Sequence, residues 1–182
     1  MKKIVLTFGL IAGLIISGMM LVTLKFQDSI GFDRGEVIGY TSMVLAFLLI
    51  FFGVRSYRDN VAGGTVTFGR ALGIGAMIAV VASVFYVATW EVIYFKLEPD
   101  FAAKYQAYEF DKARASGASE EELARKKVEM AGQLAMYNNP AMNAAITFLE
   151  PMPVALIVAL VSAGVLSRRK KSQLANEAAV AA

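Results

Sequence analysis

Cysteine and histidine are both absent from the 182 residues of this chain. Their absence excludes disulfides, thiolate nucleophiles, Cys/His zinc sites, histidine-ligated haem and every Ser-His or Cys-His catalytic pair. Chemistry is left to carboxylates, hydroxyls, lysine and arginine, and no phosphate-binding or nucleophile motif accompanies them. The expectation is therefore a protein that is not an enzyme and that has no cofactor and no metal site. Charge is also thin, at 18% of residues against 57% hydrophobic.

What is present is apolar sequence in long runs. The mean hydropathy of +0.55 is too high for an ordinary soluble domain. Four runs, at about 4–24, 37–54, 71–95 and 144–166, approach or exceed the length that crosses the ~30 Å hydrocarbon core at ~1.5 Å per residue. The expected fold class is all-α: an integral membrane protein with four transmembrane helices, occupying residues 1–171 and followed by a disordered tail at 172–182. The first run comes after Lys2 and Lys3, is longer than a secretory signal core and lacks a small-x-small cleavage site, so it reads as an uncleaved anchor. Its Gly9 and Gly13 form a GxxxG spacing, which fits both a specific packing role and the general abundance of glycine in membrane helices.

Basic residues set the orientation. Lys2 and Lys3, the loop from Arg55 to Arg70 with three arginines against one aspartate, and the cluster Arg168, Arg169, Lys170 and Lys171 belong on one side. Both termini are then cytoplasmic, and the net charge of +3 reports topology and does not argue for nucleic acid. Between the third and fourth runs, residues 97–139 form an extracytoplasmic segment of soluble composition, with seven basic and eight acidic residues from Lys96 to Glu129. Pro99 can open one helix there, Ser116-Gly117 can end it, and Ser119 with Glu122 makes a capping box for a second. The expected product is a helical hairpin protruding from the membrane. Asn139-Pro140 can cap the next helix, and Pro151 and Pro153 should kink the fourth span.

Small residues line faces of two spans. At about 100° per residue, Gly69, Gly73, Ala76, Val80, Ser83, Val87, Glu91 and Tyr94 fall near one line, as do Gly35, Gly39, Ser42, Ala46 and Gly53. Small residues let a neighbouring helix approach, so Gly35, Gly39, Ser42, Gly69, Gly73, Ala76 and Ser83 are expected to pack against protein, and Glu91 with them. Glu91 and Glu150 share a depth to within about one helical turn. Intramembrane carboxylates suggest a proton or cation site, or a pair sharing one proton, whereas Tyr86, Trp90 and Tyr94 suggest an aromatic belt in which a glutamate is merely wet.

The TFGRALGIG entry to the third run, its WEVIYF end with PDFAAKY beyond, and the FLEPMPVALIVALVSAGVLSRRK fourth run resemble the bacterial membrane proteins classed as domain of unknown function 4199. The resemblance implies a four-helix bacterial inner-membrane protein and supplies no activity. A structural or partner-binding membrane protein is then expected, in contact with the lipid bilayer and with further copies of itself or another membrane protein. The alternative is a small carrier or ion pathway using Glu91 and Glu150.

Overall fold

The structure, a computed structural model, describes residues 1–167; the Arg168 to Lys171 cluster and the tail at 172–182 lie outside them. Four helical segments are long and apolar enough to span a membrane: Lys2–Lys25, Phe32–Asn60, Phe68–Leu97 and Pro140–Leu166. We label the helices α1 (Lys2–Lys25), α2 (Gln27–Ile30), α3 (Phe32–Asn60), α4 (Phe68–Val92, extended by a π-helical turn over Ile93–Leu97), α5 (Phe101–Ala115), α6 (Glu120–Tyr137), α7 (Pro140–Leu149) and α8 (Met152–Leu166). Among the described residues there is no strand.

α1 and α8 each pack against both α3 and α4, which also meet one another. The core where they converge is filled by Phe47, Ile50 and Val54 of α3, Ile74 and Ile78 of α4, and Ala155, Ala159 and Ala163 of α8. The alanines of α8 admit close approach, and the larger side chains of α3 and α4 fill the space left over.

The GxxxG of α1 has a specific packing role. A Cβ added at Gly9 would stand 2.6 Å from Cβ of Val81, and one at Gly13 would stand 2.7 Å from Cβ of Phe85. One turn further on, Ser17 Oγ donates to the Phe85 carbonyl at 3.3 Å and accepts from Thr89 Oγ1 at 2.8 Å. Gly9, Gly13 and Ser17 thus form an i, i+4, i+8 row that receives the matching row Val81, Phe85 and Thr89.

The expected face of α4 is corrected. Its buried side comprises Ala71, Ile74, Gly75, Ile78, Ala79, Ala82, Ser83 and Tyr86, whereas Gly69, Gly73 and Ala76 are exposed and nothing lies within 4 Å of a Cβ placed at Gly69 or Gly73. Of the small residues expected to pack on this span, only Ser83 is buried. The physical reason is that α4 is surrounded by α1, α3, α7 and α8, so its inner arc needs bulk to fill volume, and close approach matters chiefly at Gly75. On α3, Gly35, Ser42, Ala46 and Gly53 are buried as expected; Gly39 is exposed, because a cavity opens beside it. Gly75→Leu should therefore reduce the yield of folded protein, since its Cβ would lie 3.0 Å from Ile50 Cγ2 and 3.1 Å from Ala159 Cβ. Gly73→Leu should leave the monomer folded. Size-exclusion profiles of the two variants in detergent check this, and greater loss in Gly73→Leu would place the small-residue face inward after all.

α5 and α6 form the hairpin. Gln106 Nε2 donates to the Met130 carbonyl at 2.9 Å and Lys126 pairs with Glu109 at 2.9 Å. Gly117, at φ 84°, supplies the left-handed residue that ends α5. The hairpin does not stand free, however. Phe32 at the start of α3 meets Phe101, Tyr105 and Tyr108 of α5, with ring centroids 5.8, 5.4 and 5.0 Å away, and Trp90 of α4 meets Phe101 at 5.1 Å. These aromatic residues of α5, an element of soluble composition, are what fold it back onto the bundle.

The capping box forms as expected: Ser119 Oγ accepts from the Glu122 N–H, and the Ser119 N–H donates to the Glu122 carboxylate at 2.8 Å. These bonds hold the Glu122 carboxyl below its ordinary value of 4.5. A depressed folded value means the stabilisation is complete above the unfolded pKa and is lost as pH falls through the folded one. Hydrogen exchange at residues 120–123, corrected for its intrinsic pH dependence, should accordingly quicken below about pH 4, and Glu122→Gln should remove that dependence.

Candidate functional site

A cavity of about 670 Å³ lies where the ends of α1, α3 and α4 meet α7 and the hairpin. Each wall follows from local helix geometry. On α4, Tyr86, Trp90 and Ile93 lie within about 60° of one another around the axis, so they present one continuous face to it. α3 begins at Phe32, well before its apolar run, and this brings Glu36, Gly39 and Tyr40 onto the same wall. α6 contributes Met130, Leu134 and Tyr137, which close the cavity from the hairpin side.

Glu150 sits where the fourth span is interrupted. α7 ends at Leu149 and α8 starts at Met152, because Pro151 and Pro153 lack the N–H groups that would bond the carbonyls of Thr147 and Leu149. Ahead of the break, Asn143 is fully buried; it donates to the Tyr137 carbonyl at 3.0 Å and accepts from Thr147 Oγ1 at 3.1 Å, locking α7 to the end of α6. Asn139 caps α7 by accepting from the N–H groups of Ala141 and Met142, as its position before Pro140 suggests. The Tyr86 hydroxyl donates to Glu150 Oε2 at 2.8 Å.

Glu91 does not join Glu150. It does not line the cavity, and its buried Oε1 has no hydrogen-bond partner among the described residues. The expected sharing of a proton between the two is therefore replaced by the Tyr86–Glu150 bond. The reason is angular: α4 turns Tyr86 towards the broken helix, and Glu91, five residues on, points about 140° away. The carboxylate that shares the cavity with Glu150 is Glu36, which hydropathy assigns to a polar connection. Its signal lies in the i, i+4 pair Glu36 and Tyr40 beside Gly35 and Gly39, and it becomes visible only when the helix is extended back to Phe32.

Among the described residues no lysine or arginine lines the cavity, so its charged groups are Glu36 and Glu150. Lys104, Lys112 and Lys126 of the hairpin are paired with Glu98, Asp33 and Glu109. On the hairpin wall, burial pushes the Tyr105 and Tyr137 hydroxyls up from the ordinary phenol range, and the charge of Glu150 adds to the effect at Tyr137. Both rings are neutral at physiological pH. Among the described residues no three acidic side chains gather into a metal-binding group.

Comparison with known proteins adds a family and nothing more specific. No curated protein and no solved structure matches the chain. The family model described as "Protein of unknown function (DUF4199)" matches residues 7–168, which takes in the hairpin, nearly the whole of the four spans and every residue lining the cavity. The chain belongs to the DUF4199 family of proteins of unknown function.

Proposed function

We propose that this chain is a membrane-embedded binding protein of a bacterial inner membrane, with both termini cytoplasmic and the α5–α6 hairpin on the outer side, whose cavity receives a small organic molecule. The observation that carries this reading is the cavity itself. Its volume of about 670 Å³ lies in the range of small-molecule sites, and it combines apolar and aromatic walls with a few convergent polar groups. The reading is of binding, because the walls are mainly apolar and aromatic and no phosphate-binding or cofactor motif accompanies the Tyr86–Glu150 pair. Orientation rests on the basic loop at Arg55 to Arg70, and reporter fusions at Asn60 and Gly117 should place these residues on opposite sides of the membrane. The outward small face of α4, with Gly69, Gly73 and Ala76, suits close packing by a second copy or by another membrane helix.

The test uses Trp90, the only tryptophan in the chain and a residue of the cavity wall. Protein in neutral phosphatidylcholine nanodiscs is titrated with tetraphenylphosphonium, tetraphenylborate and neutral triphenylphosphine oxide. At least one probe should quench Trp90 saturably at one to one, and Gly39→Phe should abolish this by filling the cavity without touching the packed core. If no probe binds saturably, or if Gly39→Phe and Thr23→Phe, the latter at a residue of the α1 wall, both fold and bind as before, the reading fails.

A second reading, a carrier, is favoured by the helix break at Glu150-Pro151, since discontinuous helices near a charged group recur in transporters. Its carboxylates would be Glu36 and Glu150, with Glu91 outside the path. Uptake of a bound probe into proteoliposomes separates this from binding alone.

A further inference from the structure

The chemistry of the cavity wall narrows what can bind, granted the reading that it is a ligand site. Two carboxylates face the cavity, and among the described residues no basic side chain faces it with them. Glu150 has its Oε2 bonded to a neutral phenol, and Glu36 has no hydrogen bond or ion pair among the described residues. Both acids keep exposed surface, and with no cation beside them their negative potential in the cavity is left uncompensated, which attracts a positive ligand. Around these acids stand Tyr40, Tyr86, Trp90, Tyr94 and Tyr137, whose ring faces attract cations through their quadrupoles. The remaining wall carries Met19, Met20, Met43 and Met130, flexible apolar side chains that adapt to irregular hydrocarbon.

We infer that the cavity binds an amphipathic organic cation, a substituted ammonium or similar onium ion with apolar substituents, whose positive centre lies between Glu36 and Glu150 among the tyrosines and Trp90 and whose apolar part lies against the methionines. A compact metal ion is a poor match, because the walls offer two carboxylates on separate helices and mostly carbon between them. An anionic ligand would meet two like charges with no counter-charge, and anionic lipid is disfavoured for the same reason.

The three-probe titration distinguishes this inference from the reading beneath it. Tetraphenylphosphonium should bind at least about tenfold more tightly than triphenylphosphine oxide, and tetraphenylborate, similar in shape but opposite in charge, should not bind saturably. Glu36→Gln and Glu150→Gln should each weaken tetraphenylphosphonium about tenfold, and the double variant should lose it. Because Glu36 bonds to nothing in the described fold, Glu36→Gln keeps the test informative even if Glu150→Gln perturbs the broken helix. Equal or tighter binding of the neutral or anionic probe, or unchanged tetraphenylphosphonium affinity in Glu36→Gln and in any folded Glu150→Gln, overturns the inference while leaving a ligand site. Failure of all three probes overturns both.

Discussion

Gly9→Leu and Gly13→Leu, combined in one chain, should abolish the folded bundle, and each alone should sharply lower the unfolding temperature in detergent. Gly18→Leu on the same helix should do neither. The added Cβ alone would stand 2.6 Å from Val81 at Gly9 and 2.7 Å from Phe85 at Gly13, closer than carbon atoms approach, and the rest of a leucine cannot be accommodated without moving α1 off α4. Nothing lies within 4 Å of a Cβ at Gly18. Overpacking of a tight interface typically costs ~1–3 kcal/mol per site, and here separation would also break the Ser17 bonds to Phe85 and Thr89. Marginal proteins do not withstand two such changes. Identical melting of Gly9→Leu and Gly18→Leu would mean that the two helices are not in close contact.

Phe32→Ala should loosen the hairpin from the bundle while leaving the spans intact. Phe32 is the common neighbour of Phe101, Tyr105 and Tyr108, and an aromatic pair contributes ~0.5–1.5 kcal/mol beyond its buried area. A loss of ~2 kcal/mol corresponds to roughly 30-fold faster exchange of the α5 amides. The neighbouring ion pair of Lys112 with Asp33, 2.6 Å long but exposed, should matter far less, because screening and side-chain entropy reduce pairs at the surface. Hydrogen exchange of Phe32→Ala beside Asp33→Asn decides between the two. Faster exchange in Asp33→Asn alone would show that charge and not aromatic packing holds the hairpin down.

The elements of this fold were legible because each was announced locally. The Ser119/Glu122 box, Asn139-Pro140 and the proline pair after Glu150 act over a few residues, and α6, α7 and the break before α8 stand at those signals, whereas α3 extends past its apolar run at both ends. Facing was less legible. On α3, Gly35, Ser42, Ala46 and Gly53 lie on the buried side beside the bulkier Met43, Phe47 and Ile50, and Gly39 does not. On α4 four neighbours, α1, α3, α7 and α8, share the helix, and size no longer distinguishes protein from lipid: Ile74 and Ile78 are buried while Gly69 and Gly73 are exposed. The site suffered from the same ambiguity. Depth along the spans set Glu91 and Glu150 at one level, but pairing depends on rotation about the axis, which put Tyr86 where Glu91 was expected. Glu36 was missed because hydropathy ends a span where apolar residues end, whereas the hydrogen-bonded helix continues.

The order in which the pieces of the cavity are made has a consequence for biogenesis. Its walls from α1, α3 and α4 are synthesised first and the hairpin next, but Ile146, Thr147 and Glu150 come from the last span, and only with α7 in place is Asn143 locked onto Tyr137. During synthesis the first three spans therefore wait in the bilayer with the inner faces of α3 and α4 uncovered, until α8 arrives with its alanines. A chain truncated before residue 140 would expose that groove and lack one of the two acids. The uncovered seam between α3 and α4 would thus distinguish an unfinished chain from a completed one.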